Sequence, residues 1–118
     1  MRYISLFTHE DRGVPPTQAD MAAMGKLIEE GMKAGWLIST EGVHAGSNGT
    51  RVRSTGGKIS IVDGPFAEAK EVIGGYAILR ANSKEEVIAL TRQFLKVAGD
   101  GTCELHQLFE MPAGAGPG

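Results

Sequence analysis

The 118-residue chain is predicted to fold as one α+β domain, an antiparallel sheet with two helices on one face and an inserted β-hairpin. Three observations carry this prediction. Apolar residues recur at helical spacing in two stretches, Met21 to Met32 and Val87 to Ala98. Around them lie six short runs rich in β-branched and aromatic residues, separated by glycine, proline and small polar residues. The resulting order is β-α-β-(β-β)-β-α-β, with no internal repeat and no break long enough for a second domain.

Arg2 to Thr8 reads as the first strand, and His9 to Pro16 as a polar loop closed by two prolines. Thr17 is a good N-cap, with Asp20 three residues on completing a short-armed capping box. Met21, Met24, Ile28 and Met32 then share one stripe with Leu27 beside it, which marks a packing face and not a cofactor box. Gly35 suits the left-handed end of this helix, while Gly25 and Gly31 suggest close packing against a sheet. Trp36 to Thr40 is the second strand, and Glu41 to Gly49 a glycine-rich connection. Thr50–Ser54 and Lys58–Val62 form a hairpin around Thr55-Gly56-Gly57. Val72 to Arg80 is a strand with a bulge or close approach at Gly74-Gly75. Ser83 and Glu86 make a capping box for the second helix, whose stripe is Val87, Leu90, Phe94 and Ala98 and whose terminator is Gly99. Cys103 to Phe109 closes the fold as a strand.

Without the hairpin this order is the split βαβ pattern of a ferredoxin-like domain. Two helices cover only one face of such a sheet. In the last strand Cys103, Leu105, Gln107 and Phe109 point one way, and Glu104, His106, Leu108 and Glu110 the other. A second copy packed on the open face would bury it by two-fold symmetry, so a homodimer with facing sheets is expected.

Composition narrows the function classes. Charged residues are 22% and hydrophobic residues 42%, ordinary for a soluble globular chain. A formal charge of -2 gives no field favouring nucleic acid or an acidic membrane. No apolar stretch approaches the length of a membrane span. The apolar opening Met1 to Phe7 is too short for a signal sequence, and no small-residue cleavage site follows it. Cys103 is the single cysteine, so no intrachain disulfide forms and a cytoplasmic location is expected. Residues 1–111 are read as the domain, and the Gly/Pro-rich residues 112–118 as a flexible tail.

The densest charge lies on the turn Asp63-Gly64-Pro65-Phe66-Ala67-Glu68-Ala69-Lys70-Glu71. A change of direction needs only Gly64 and Pro65. This run, with Gly74-Gly75-Tyr76 after it, resembles the signature of the DGPF family, a branch of the YCII-related proteins. The resemblance extends to Glu41-Gly42-Val43, Thr50-Arg51-Val52-Arg53, Ser83-Lys84-Glu85-Glu86 and Glu104-Leu105-His106, so it runs from the first strand to about Glu110. It implies a ferredoxin-like subunit that pairs into a dimeric α+β barrel, with a cleft near the motif treated as an active site. Most members have no assigned reaction, and their genes often neighbour sigma factors of the extracytoplasmic type. Ala69 stands where the family usually has Thr, and His106-Gln107 near its usual Arg-Pro. Some YCII-related proteins use a His–Asp pair with the His early on the first helix; that helix has no His here, so the role does not carry over.

The hairpin reading sets Arg53 opposite Ile59 and Arg51 opposite Ile61, with Asp63 on the same face as both arginines. The candidate site is therefore a cleft beside the turn. Asp63 and His106 are its candidate catalytic residues, and Arg51, Arg53, Phe66, Glu68 and Lys70 its candidate binding residues. An imidazole exchanges its proton near neutral pH, which suits acid–base work. The plainer alternatives are that Asp63 caps its own turn, that Glu68, Lys70 and Glu71 are solvated, that His9 is an exposed loop residue, and that His106 bonds Glu104 at an interface. His9, Glu10, His44 and His106 are too scattered for a metal motif, Cys103 reads as inert core, and Gly42 to Gly49 lacks the ending of a phosphate loop. No metal and no cofactor is expected. The functional expectation is a small-molecule-binding protein doing acid–base chemistry on a small polar or aromatic compound. Its alternatives are a non-catalytic partner of a sigma factor, and a stable dimer whose motif only staples the loop.

Overall fold

The computed structural model describes residues 1–10, 16–43, 49–64, 66 and 71–110. Its elements follow the predicted order: β1 Arg2–Glu10, α1 Gln18–Ala34, β2 Leu37–Gly42, β3 Thr50–Thr55, β4 Lys58–Asp63, β5 Glu71–Arg80, α2 Lys84–Ala98 and β6 Thr102–Gln107. Four strands form an antiparallel sheet in the order β2-β5-β1-β6, and β3-β4 form a second, two-stranded sheet. Each βαβ unit is split by an intervening strand, which is the ferredoxin-like arrangement. The predicted tail, His44, Glu68 and Lys70 lie outside the described residues.

Caps set where both helices begin. The Thr17 hydroxyl accepts from the Asp20 amide, and the Asp20 carboxylate accepts from the Thr17 amide, each at 3.1 Å. This satisfies two of the amides that a helix start leaves unpaired. In α2 half of the expected box forms. The Glu86 amide donates to Ser83 Oγ at 3.1 Å, but the Glu86 carboxylate takes the Asn82 amide at 3.3 Å. Gly31 lies under the Trp36 ring, as expected of a close approach, whereas Gly25 has open space around it. The expectation that Gly25 packs on the sheet is thus corrected.

Alternation along the strands separates two faces. Tyr3, Ser5, Phe7 and His9 face the helices, together with Leu79, Ala77 and Gly75 across β5. Arg2, Ile4, Leu6, Thr8 and Glu10 face the uncovered side. The buried core is Tyr3, Leu37, Leu79, Ala81 and Val87, with Ile28, Trp36, Ala77 and Leu105 packed against it. It sits at one end of the sheet, because Tyr3, Leu79 and Leu37 share a row. β1 runs to Glu10, two residues past its expected end, so His9 belongs to a strand and not to a loop. The bulge foreseen at Gly74-Gly75 is present: Phe7 pairs with Gly75 and Thr8 with Ile73.

The hairpin register differs from the expected one. Thr55 pairs with Lys58, leaving the two-residue turn Gly56-Gly57 at φ 57° and 84°. Two consecutive left-handed residues make the tight turn that matches strand twist, and glycine adopts them without a Cβ clash. Arg51 therefore faces Val62, Arg53 faces Ser60, and Asp63 faces Thr50. A one-residue slip reverses every side chain, so Asp63 lies on the opposite face from the two arginines. No helix among the described residues is long and apolar enough to cross a membrane.

Candidate functional site

Between the helices and the sheet a hollow runs from the core residues Leu37 and Leu79 to the other end of the sheet. At that end one row of the sheet widens it. Phe7 on β1 pairs with Gly75 on β5, and Gly75 pairs with Gly42 on β2. Two neighbouring strands thus present no side chain where the core end presents Leu79 and Leu37. The result is a cleft of about 1010 Å³, at the upper end of small-molecule sites. Met21 and Met24 of α1 and Phe94 and Val97 of α2 wall it, and Phe7 and His9 stand on its floor.

The floor is an ordered aromatic group. Phe94 meets Phe7 edge-on, with ring centroids 5.1 Å apart at 84°, a favoured geometry for aromatic pairs. His9 lies beside Phe7 at 5.4 Å and 31°. A Cβ on Gly74 would stand 2.8 Å from both rings, so the bulge glycine is what lets them lie against the strand. A Cβ on Gly75 would stand 2.5 Å from the Glu41 carbonyl oxygen, so that glycine lets β2 approach β5.

His9 has a defined polarity. Its Nδ1 is 2.7 Å from the Glu10 carbonyl oxygen. A carbonyl can only accept, so Nδ1 carries the hydrogen and the neutral ring presents Nε2 as an acceptor. One carboxylate, Asp20, stands at the margin of the cleft, the Glu41 side chain lying on the uncovered face of the sheet, and none of the described lining residues is Lys or Arg. The bonds from Thr17, the backbone one first, hold the Asp20 carboxyl below the usual aspartate range. The cleft is therefore apolar inside and anionic at the rim, with one imidazole acceptor.

The residues expected from the sequence are divided among three places. Arg51 stacks over the Phe66 ring at 3.8 Å from its centroid, a cation–π contact. With Arg53, Ser60 and Val62, Arg51 bounds a small hollow of about 270 Å³. Asp63 is on the other face of that hairpin and exposed, its carboxylate accepting from the Thr50 hydroxyl at 2.9 Å. His106 is opposite Ile4 on the uncovered face of the main sheet, 2.8 Å from Glu104 through Nε2. The arginines and Phe66 thus come together, while Asp63 and His106 join neither them nor each other. Glu68 and Lys70 lie outside the described residues.

Sequence reasoning placed His9 in an exposed loop, whereas it lies on β1 and lines the cleft. The signal was present, since Tyr3-Ser5-Phe7-His9 continues one alternation into the ring that floors the cleft. Cys103 is opposite Phe7 on the helix-covered face, as expected. Burial pushes its thiol up, partly offset by a hydrogen bond with Ser5, which fits an unreactive side chain. Among the described residues no three His, Cys, Asp or Glu side chains gather as a metal ion would require.

No curated protein matches the chain. The model of the YCII-related domain matches residues 1–112, which include every described helix and strand and every residue named in the cleft. The chain therefore belongs to the YCII-related family.

Proposed function

We propose that this chain binds a small apolar or aromatic compound bearing an O–H or N–H group in the cleft between sheet and helices. His9 Nε2 accepts that hydrogen and, where the compound reacts, acts as the base. The observation that carries the reading is the emptied row Phe7–Gly75–Gly42 beside an imidazole whose other nitrogen is engaged by a backbone carbonyl. A cavity without a function is a cost in lost packing; here three glycines maintain one. Asp20 at the rim repels anions, and no described lining residue is Lys or Arg, which favours neutral or cationic ligands. Proton transfer to one imidazole needs no cofactor.

In this reading His9 takes the acid–base role that the sequence reading assigned to Asp63 and His106. The charged turn leads into β5, whose Gly74 and Gly75 line the cleft. Arg51, Arg53 and Phe66, with Glu68 and Lys70, are proposed to meet the polar end of a ligand that extends beyond it. A second copy is proposed to cover the uncovered sheet face, where Ile4, Leu6, Tyr76 and Ile78 form an apolar centre. The partnership with a sigma factor rests on family resemblance, and no feature of this chain favours it over ligand binding.

Phenol and benzoate serve as probes, followed by NMR of the imidazole and methyl resonances. Phenol is expected to shift the His9 ring and the Met21 and Met24 methyls, with benzoate far weaker. His9→Ala should weaken phenol binding without unfolding the domain. Phenol shifts confined to the hairpin, or equal affinity for benzoate, would sink this assignment of the site.

A further inference from the structure

The acceptor on His9 has a counterpart on the other side of the emptied row. Thr40 shares the helix-covered face with Ala77 and lines the cleft. Its hydroxyl donates to the Tyr76 carbonyl oxygen at 2.8 Å. A hydroxyl has one hydrogen, so with that bond made Thr40 Oγ1 offers a ligand only lone pairs. Thr91, on α2, is in the same state, donating to the Val87 carbonyl oxygen at 2.8 Å. Ser5 is buried and bonds Cys103. Besides His9, the ring N–H among the described lining residues is that of Trp36, whose ring packs at the core end. Away from that end, the polar side chains named on the lining accept hydrogen bonds and do not donate them.

Two of these acceptors stand at a defined spacing. A Cβ on Gly74 would lie 3.1 Å from His9 Nε2, and Thr40 Oγ1 lies against the Tyr76 carbonyl. Both reference points are on β5, with Gly75 between them. At ~3.3 Å per residue the two acceptors are roughly 8 Å apart. Gly75 carries no side chain, and Gly42 beside it on β2 continues the gap. The floor between the acceptors is therefore bare backbone, with the Phe7 ring at its edge.

We propose that the cleft selects an aromatic compound with hydrogen-bond donors at both ends, one donating to His9 Nε2 and the other to Thr40 Oγ1, its ring lying over Gly75. The proposal rests on the ligand reading above and deepens it. His9 binds the first O–H or N–H, and Thr40 is the residue that chooses between one donor and two. A single ring with its second donor para to the first suits the spacing, each donor then within hydrogen-bond reach of its acceptor. An ether oxygen at the second end would set lone pairs against those of Thr40 and leave that acceptor unpaired away from water, which costs about tenfold in affinity.

Hydroquinone, kept under argon, and para-methoxyphenol test this, with phenol as the reference and dissociation constants read from NMR titration of the full chain. Hydroquinone is expected to bind the wild type about tenfold more tightly than para-methoxyphenol. Thr40→Val keeps the side-chain shape and removes the acceptor, so it should abolish that preference and leave phenol affinity unchanged. Thr40→Ser restores the hydroxyl and should restore the preference, with circular dichroism confirming that both variants fold. Phenol binding with no preference for hydroquinone in the wild type, or a preference that survives Thr40→Val, would overturn the second contact and leave the His9 reading standing. Failure of all three compounds to shift the cleft residues would overturn both.

Discussion

Two glycines of α1 make opposite predictions for the same substitution. Gly25 and Gly31 both lie inside Gln18–Ala34, so alanine at either should recover about 1 kcal/mol of helix propensity. At Gly25 nothing lies within 4 Å of the added Cβ, and the gain should be realised nearly in full. At Gly31 the Cβ would stand 2.7 Å from Trp36 Cη2, 2.8 Å from Cζ2 and 2.9 Å from Leu37 Cβ. Leu37 is a buried core residue and Trp36 packs on that core, so neither can withdraw freely. Overpacking of this kind costs about 1–3 kcal/mol. The net for Gly31→Ala is then between neutral and about 2 kcal/mol destabilising, and the two variants should differ by about 1–3 kcal/mol. Urea denaturation at 25 °C measures this, with equal slopes required for the comparison. Trp36→Leu should relieve the clash, so Gly31→Ala should cost less in that background than alone. If Gly31→Ala stabilises the chain as much as Gly25→Ala, the packing of α1 on β2 is wrong.

Two further predictions concern ionisation. The Asp20 carboxylate is held below the usual aspartate range by its bonds to Thr17, so its contribution to α1 is present above the unfolded value and is lost as pH falls through the folded one. The fraying of α1 should therefore appear only under strong acid; in Asp20→Asn that step should vanish, and an unchanged acid limb would refute the cap's role. Burial pushes the Cys103 thiol up, so its alkylation by iodoacetamide should lag an exposed thiol at neutral pH and rise only at more alkaline pH. Ser5→Ala, which removes the partly offsetting hydrogen bond, should move that rise higher still; a rate profile matching that of an exposed thiol would contradict the placement of Cys103 on the covered face.

Much of the architecture was legible because it depends on local chemistry. Helical spacing of Met21, Met24, Ile28 and Met32, the Thr17 cap and the Gly35 stop mark α1 wherever it packs. Alternation marks the strands, and the order of elements leaves the ferredoxin-like arrangement as the natural closure. The errors occurred where an element's end or register is set by its partner. β1 continues through His9 because β5 pairs with it as far as Glu71, and Thr8-His9-Glu10 carries no stop signal of its own kind. The hairpin slipped by one residue because Thr55-Gly56-Gly57 and Gly56-Gly57 are both acceptable turns, and nothing across its exposed faces selects between them from sequence.

The candidate site shows the same division more sharply. Sequence reading reached for the charged turn because charge density is visible along a chain. The cleft is made by what is missing: Gly75 and Gly42 aligned beside Phe7, from strands more than thirty residues apart. Composition, element order, caps and the family are properties of residue types and short-range spacing, so the chain determines them by itself. Which rows lose their side chains, which face His9 joins and which nitrogen it presents depend on strand pairing across long loops. Only the tertiary structure decides those, because an empty volume belongs to several distant segments at once and to none of them alone.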